Sequence, residues 1–154
     1  MNICFYETSL GKIGIAEHDG SITNLYFEND PLPQHATNQE TPLLAEASRQ
    51  LSRYLAGELK EFTLPLCPKG TPFMQQVWKV LREIPYGKTS TYKQVATKVG
   101  NEKAVRAVGM ANNRNPIPIF IPCHRVIGSN GALIGFRGGL AVKQNLLSME
   151  GKGG

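Results

Sequence analysis

The stretch TSTYKQVATKVGNEKAVRAVGMANNRN, residues 89–115, predicts two short helices joined by a tight turn at Gly100. Thr89, Ser90 and Thr91 are candidate N-caps for the first helix, and Thr91 with Gln94 three residues later has the spacing of a capping box. Asn101 is the expected cap of the second helix. Two short helices around a glycine turn are the outline of a helix-turn-helix. That outline is common, so its meaning depends on the rest of the chain.

The charge distribution strengthens the DNA-binding interpretation. Residues 1–66 hold four basic and nine acidic side chains, a balance of −5, whereas residues 67–154 hold thirteen basic and three acidic ones, a balance of +10. Segregated positive charge beside a helix-turn-helix outline predicts a polyanionic partner such as nucleic acid. The alternative is a solvated basic surface with no partner.

The first half reads as a small mixed lobe. Residues 2–7, 12–17 and 21–27 are short apolar and β-branched runs separated by turns, which predicts three strands. A helix follows, with Thr41 as its cap, Pro42 in its first turn and Gly57 at its end. Residues 61–66 are expected to return as a strand. CPKGTP marks the boundary, so we predict an α/β lobe over 1–66 and a mostly helical domain over 67–154.

Further helices are expected in the second domain. Residues 73–84 carry apolar side chains at helical spacing, and a short terminal helix follows GFRGG. That terminal helix offers four apolar side chains to the core: Leu140, Leu146, Leu147 and Met149.

Several classes of protein are excluded by composition. The three cysteines, Cys4, Cys67 and Cys123, are odd in number and far apart, without a CxxC pair, which argues against a zinc site and a disulfide framework. No run approaches the roughly 20 apolar residues of a membrane span, and the N-terminus lacks the pattern of a signal peptide. We therefore expect a cytoplasmic protein with reduced thiols, no metal and no membrane. A monomer is a separate expectation.

One of these cysteines has unusual neighbours. In NPIPIFIPCHRVIGSNG, residues 115–131, three prolines precede Cys123, and His124 and Arg125 follow it. A nucleophilic cysteine must become a thiolate, and histidine is the usual base. An extended chain after Pro122 would place adjacent side chains on opposite faces, so His124 is expected to act through a water. The alternative for Cys123 is a buried structural cysteine.

The histidine of such a relay needs a carboxylate to orient it. The second domain offers only Glu83, Glu102 and Glu150. Glu102 lies in the turn of the helix-turn-helix and Glu83 at a helix end. Glu150, on the terminal helix, is therefore the best candidate.

PCHRVIG, together with GKTSTY, RAVGMANNRNPIPI, GFRGGL and LLSMEG, resembles the methylated-DNA–protein-cysteine S-methyltransferases, which repair 6-O-alkylguanine. The resemblance covers about residues 70–151. It implies a ribonuclease-H-like α/β lobe followed by a winged helix-turn-helix domain. It also implies a cofactor-free, single-turnover transfer of the alkyl group from a flipped base in double-stranded DNA to Cys123, with 4-O-alkylthymine as a second candidate base.

The resemblance implies roles for individual residues. His124 looks like the base, with Glu150 behind it, and Asn115 like a hinge between the helix-turn-helix and the acceptor segment. Arg106 resembles the arginine that fills the space left by the flipped nucleotide, and Tyr92 the tyrosine near the base and its 3′ phosphate. The remaining expected DNA contacts are Lys103, Ala107, Asn113 and Arg125. The expected guanine pocket consists of Pro118, Val126, Phe136, Arg137 and Gly138.

Other readings of these residues stay open. Arg106 can be a plain phosphate contact and Tyr92 a core residue. Gly109 costs its helix about 1 kcal/mol relative to alanine, which favours either close approach to DNA or close helix packing.

Two positions depart from the family pattern. Phe136 stands where many members have tyrosine, and Arg137 where a small residue is usual, which bears on the range of alkyl groups accepted. Zinc ligands known from the first lobe of some members are matched at most by Cys4. The rival functions are a DNA-binding relative, which would lack the acceptor cysteine, and a Cys-His-Glu hydrolase, which would not explain the basic second half.

Overall fold

The computed structural model describes residues 1–153. Two compact units make up the chain, Met1–Lys69 and Gly70–Gly154. In the described residues no helix is both long enough and apolar enough to span a bilayer.

The first unit is a four-stranded sheet with one helix. Strands β1 (Asn2–Thr8), β2 (Gly11–His18) and β3 (Ser21–Tyr26) pair antiparallel, and the two-residue β4 (Thr37–Asn38) pairs parallel with β1, in the order β3-β2-β1-β4. The three strands predicted from the sequence are confirmed.

Helix α1 (Pro42–Leu55) packs on this sheet. The Leu44 backbone N–H donates to Thr41 Oγ1 at 3.2 Å, which confirms the predicted cap. Gly57 follows the helix with a φ of 78°, a conformation that glycine adopts without strain.

The strand predicted at 61–66 is wrong. Only a single bridge, between Ile22 and Leu66, forms there. The backbone N–H of Thr63 donates instead to Gln50 Oε1 at 2.9 Å, and Pro65 has no N–H to offer. A side chain of α1 therefore takes the hydrogen bond that a ladder would need.

The second unit is mostly helical. It contains α2 (Pro72–Arg82), α3 (Tyr92–Lys98), α4 (Val105–Asn113) and α5 (Leu140–Gly153), with a two-stranded parallel wing of β5 (Ser90–Thr91) and β6 (Val126–Ile127). Trp78 of α2 is buried and donates from its indole nitrogen to the Ala111 carbonyl of α4 at 2.9 Å. This bond joins α2 to the second helix of the helix-turn-helix.

The helix-turn-helix prediction is confirmed by α3 and α4, with one correction. Thr91 and Gln94 form the predicted capping box, with bonds of 3.0 and 2.8 Å. Asn101 does not cap α4, which begins only at Val105. Its Oδ1 accepts from the Lys103 N–H at 3.1 Å, so its side chain closes a local turn before the helix starts.

The terminal helix is confirmed, and one of its core assignments is wrong. Leu146 is buried as expected, whereas Leu140 is 49% exposed. Leu140 is the first residue of α5, where the helix is only beginning to meet the core.

Candidate active site and DNA-binding helix

The acceptor segment is held by Asn115 at both ends of a tight turn. Its Oδ1 accepts from the Ile117 N–H at 2.9 Å, and its Nδ2 donates to the Ile121 carbonyl at 2.9 Å. The Cys123 N–H donates to that same Ile121 carbonyl at 2.8 Å. Asn115 therefore fixes the Ile121 carbonyl, which also accepts the hydrogen bond from the Cys123 backbone N–H.

Strain is built into this turn at Ile119. Its φ of 74° lies in the left-handed region, which β-branched residues rarely enter. Such a conformation costs on the order of 1–3 kcal/mol and persists only where the surroundings impose it. The prolines at 116, 118 and 122, whose own φ angles are fixed by their rings, are part of those surroundings.

The prediction of an extended chain after Pro122 is wrong. Cys123, His124 and Arg125 form a single turn of 3₁₀ helix, and all three are buried. The Arg125 N–H donates to the Pro122 carbonyl at 3.1 Å and closes this turn. Side chains of adjacent residues therefore diverge by a helical step and do not alternate between two faces.

A buried carboxylate joins His124 and Arg125. His124 Nε2 lies 2.7 Å from Glu150 Oε2. Arg125 donates to both oxygens of Glu150, from Nε at 2.9 Å and from Nη2 at 3.0 Å, and from Nη1 to the Ile84 carbonyl at 2.8 Å. Glu150 thus lies within hydrogen-bond distance of His124, and its role as the orienting carboxylate stays a prediction.

This network corrects the assignment of Arg125 as a DNA contact. Its guanidinium is enclosed between Glu150 and the end of α2, so it is not presented to a ligand. Adjacency to the reactive cysteine in sequence does not reveal that a single helical turn directs this side chain inward.

The tautomer of His124 follows from its partner. A carboxylate can only accept, so Nε2 carries the hydrogen and the neutral ring has its lone pair on Nδ1. Burial lowers the pKa of His124 from 6.5, although the hydrogen bond and charge of Glu150 act in the opposite direction. The imidazole is therefore a neutral base at neutral pH.

The thiol is protonated in the resting protein. Burial raises the pKa of Cys123 above its usual 9.0, and this is opposed by a hydrogen bond with Asn115 and by the charges of Arg137 and Lys143. Deprotonation thus requires a nearby base, and the two cations would stabilise the thiolate once it forms.

Helix α4 presents a polar and small-residue surface. Arg106, Ala107 and Asn113 are exposed, as is Lys103 just before the helix, whereas Val108, Ala111 and Asn112 face the core. A Cβ at Gly109 would lie 3.9 Å from the Tyr92 ring, an ordinary contact distance. Close packing against Tyr92 therefore does not require this glycine.

Comparison with known proteins adds to this geometry. Residues 72–152 match the family model "6-O-methylguanine DNA methyltransferase, DNA binding domain", and residues 2–68 match the ribonuclease-like domain of the same family. The chain belongs to the 6-O-methylguanine DNA methyltransferase family.

Individual relatives agree with this assignment. The chain is 50% identical over 151 residues to the constitutive methylated-DNA–protein-cysteine methyltransferase of Bacillus subtilis, covering 94% of this chain and 92% of that protein. It is 58% identical over 148 residues to the corresponding protein of Methanosarcina barkeri, covering 94% and 93%. The crystal structure of Mycobacterium tuberculosis OGT in complex with DNA superposes with a TM-score of 0.93 at 41% identity, covering 99% of this chain and 94% of that one.

The family's expected pocket residues differ in exposure. Pro118, Val126 and Phe136 are buried, Gly138 is half-buried, and Arg137 is exposed. Arg137 donates from Nη1 to the Asn115 carbonyl at 3.1 Å. A hydrogen bond thus joins the GFRGG loop to Asn115, at the start of the segment that carries Cys123.

Sequence reasoning missed Lys143. This residue is fully buried, and its Nζ donates to the Ile134 carbonyl at 3.0 Å. The same carbonyl accepts a hydrogen bond from the Tyr92 hydroxyl at 3.0 Å. Burial lowers the pKa of Lys143, and the nearby Cys123 raises it. The available signal was the spacing of residues 143, 146 and 150, which places this lysine on the same helix face as Leu146 and Glu150.

The structure supplies no cluster for a resident metal in the part it describes. Within residues 1–153, no group of three His, Cys, Asp or Glu side chains comes close enough to hold an ion.

Proposed function

We propose that this protein repairs alkylated double-stranded DNA by moving the alkyl group from the 6-oxygen of guanine to Cys123 Sγ, once per chain. The observation that carries the proposal is the buried Cys123 beside a His124–Glu150 pair, in a chain whose family is the 6-O-methylguanine DNA methyltransferases. The family assignment favours this reaction over hydrolysis, and the presence of Cys123 favours repair over binding alone.

The first step is deprotonation of the thiol. Neutral His124 accepts the proton of Cys123 through a water molecule, and the Glu150 carboxylate stabilises the resulting imidazolium. Arg125, bonded to both oxygens of Glu150, holds that carboxylate in place. Arg137 and Lys143 contribute positive charge at the thiolate.

The second step is an in-line displacement at the alkyl carbon. A bond forms between Sγ and that carbon while the bond from carbon to the guanine 6-oxygen breaks. The base leaves with the bonding electrons and takes up one proton, so normal guanine and a thioether result. The thioether has no route back to a thiol, and the chain is spent.

DNA is bound through the exposed surface of the helix-turn-helix. Arg106 enters the duplex and occupies the space of the flipped nucleotide, and Tyr92 lies by the base and its 3′ phosphate. Lys103, Ala107 and Asn113 contact the duplex beside it. Flipping costs a few kcal/mol, less at a damaged pair, which contributes to selectivity.

The extruded base then enters a pocket formed by Pro118, Val126, Phe136, Arg137 and Gly138. Because Phe136 has no hydroxyl and Arg137 is bonded across to Asn115, we propose that small alkyl groups are preferred over bulky ones. 4-O-alkylthymine is a second candidate substrate. Residues 67–154 form the DNA-binding and acceptor domain, residues 1–66 the α/β lobe, and a monomeric, cytoplasmic state stays a prediction.

Mass spectrometry after incubation with duplex containing 6-O-methylguanine tests this function. One added methylene unit is expected on the peptide containing Cys123, and none for Cys123→Ala, which should still bind the duplex. Cys67→Ala is the matched control, because Cys67 is exposed and outside the second unit. A unit found on Cys4 or Cys67, or gained by Cys123→Ala, would refute the assignment.

A further inference from the structure

A tight turn follows helix α2 at residues 85–88. It is closed by a hydrogen bond from the Lys88 backbone N–H to the Pro85 carbonyl at 3.1 Å. Gly87, at the third position of the turn, has a φ of 79°, the positive value that glycine supplies there in a type II turn. Tyr86 occupies the second position, and no step of the proposed reaction uses this residue.

This segment contacts the buried ion pair of the site through three groups. The Ile84 carbonyl accepts from Arg125 Nη1 at 2.8 Å, and the Gly87 N–H donates to Glu150 Oε1 at 3.4 Å. The Tyr86 ring lies over the guanidinium, with 5.8 Å between Arg125 Cζ and the ring centroid. A cation within about 6 Å of an aromatic face is attracted to it, more strongly where water is excluded. Tyr86 therefore helps to hold the arginine that itself holds Glu150.

The environment of His124 depends on this arrangement. Burial lowers the pKa of His124, the hydrogen bond and charge of Glu150 raise it, and the charges of Arg125 and Lys143 lower it. The pKa of Tyr86 is raised by burial and by the charge of Glu150, against the charge of Arg125, so the turn after α2 presents a neutral ring to this network. Without the ring, water would reach Arg125 and loosen its contact with Glu150. Both changes would raise the pKa of His124.

We propose that Tyr86 is a positioning residue for alkyl transfer: its ring holds Arg125 against Glu150 and so keeps the carboxylate aligned on His124. This inference rests on the proposed function. Tyr86 acts through the carboxylate and the imidazole, and the aromatic face is the part of its side chain that the role requires.

The test compares Tyr86→Leu, which removes the ring, with Tyr86→Phe, which keeps it. With saturating duplex containing 6-O-methylguanine, Tyr86→Leu should slow single-turnover transfer by about tenfold at neutral pH, as expected for the loss of a desolvated cation–π contact. Its pH profile should also show an acid midpoint higher than that of the natural chain. Tyr86→Phe should restore both the rate and the midpoint. A purely structural defect would lower the active fraction and leave the midpoint where it is.

Phe73→Leu is the matched control, because it removes a half-buried aromatic ring at the opposite end of α2 and should change neither quantity. If Tyr86→Leu does not fold, Tyr86→Met takes its place. A chain without the ring that keeps the natural rate or the natural midpoint overturns the proposal, as does a Tyr86→Phe chain as slow as Tyr86→Leu. No transfer from 6-O-methylguanine by the natural chain would instead refute the proposed function.

Discussion

At the scale of single residues, Glu150 is the centre of the candidate site. One carboxylate, 1% exposed, accepts from His124 and from two nitrogens of Arg125. It therefore orients the proposed base and also neutralises a buried guanidinium. Breaking a buried ion pair by removing one partner typically costs about 3–5 kcal/mol, so this position affects stability as well as chemistry.

Glu150→Gln should slow alkyl transfer and lower the free energy of unfolding. The transfer rate falls because the imidazolium of His124 loses its counter-charge, and stability falls because Arg125 is left without one. Single-turnover rates and denaturant unfolding measure the two effects. Glu83→Gln removes an exposed carboxylate of the same unit and should change neither; a Glu150→Gln chain with the natural transfer rate would exclude the relay.

The transfer rate should depend on pH through His124. Its folded pKa is lowered from 6.5 by burial, so the neutral base persists below the pH at which an exposed histidine is half protonated. We expect the rate to stay level near neutrality and to fall only at acid pH, with a midpoint below 6.5. A pH profile of single-turnover transfer checks this, and a midpoint above 6.5 would contradict it.

The same shift makes the folded state less stable in acid. Below pH 6.5 the unfolded chain takes up a proton on this histidine that the folded chain does not, so the free energy of unfolding decreases as the pH falls. The stability that the neutral His124 contributes is therefore fully present above about pH 6.5 and is lost as the pH falls towards the lowered folded pKa.

Residues of this site differed in how far sequence could identify them. Cys123, His124 and Glu150 were found because few side chains with the right chemistry were available. Arg125 was misassigned, since only the 3₁₀ turn shows that it points inward. Lys143 and Asn112 were missed because a buried polar side chain looks like a surface one until its neighbours in space are known.

At the scale of elements, α4 divides its functions between two faces. Arg106 is on the exposed face, and Asn112 on the buried face next to the acceptor segment. The helix thus presents the proposed DNA contact on one side and lies against the reactive cysteine on the other. Ala107, a small residue, lies beside Arg106 on the exposed face.

Arg106→Ala should slow transfer from duplex DNA by at least tenfold and leave transfer from a free alkylated guanine base almost unchanged. The side chain is proposed to stabilise the flipped state and has no part at the sulfur. Arg114→Ala removes the same charge at the end of this helix, so it controls for charge alone. Equal losses on both substrates, or equal losses in the two variants, would remove Arg106 from this role.

Capping residues and hydrophobic periodicity predicted most elements. These signals failed where a side chain accepted the hydrogen bond of a backbone N–H group. The capping box of α3 was readable because its residues are three apart. The start of α4 and the absence of a strand at 61–66 could not be predicted from the sequence. In each place a side-chain oxygen, of Asn101 or of Gln50, accepts a hydrogen bond from a backbone N–H group. Such competition is decided by the packed structure.

At the scale of the whole molecule, acidic and basic residues are unevenly distributed between the first 66 residues and the rest of the chain. The first 66 residues carry −5 and the remainder +10. Binding of duplex DNA through the basic part should release counterions, and its strength should fall steeply as salt rises. The fold does not require this segregation of charge. Because folding does not explain the segregation, the sequence alone could indicate a function in binding a polyanion.

The logarithm of the DNA affinity should fall linearly with the logarithm of salt concentration. Lys103→Ala should reduce the slope by about one, as expected for one lost phosphate contact. Lys60→Ala, in the acidic part of the chain, should leave it unchanged. Fluorescence anisotropy with an undamaged duplex measures the slopes, and an affinity indifferent to salt would reject an electrostatic interface.

The enclosure of Cys123 has a consequence for the lifetime of the unused protein. A thiol that can react only once is wasted by any peroxide or free alkylating agent that reaches it. Cys123 is 3% exposed and its pKa is raised by burial, so it is a poor target for small electrophiles in solution. Iodoacetamide should therefore label the exposed Cys67 well before Cys123 in the folded chain. The selectivity of Cys123 for the damaged base would then come from its burial, because the flipped base enters the site and other electrophiles do not reach the sulfur.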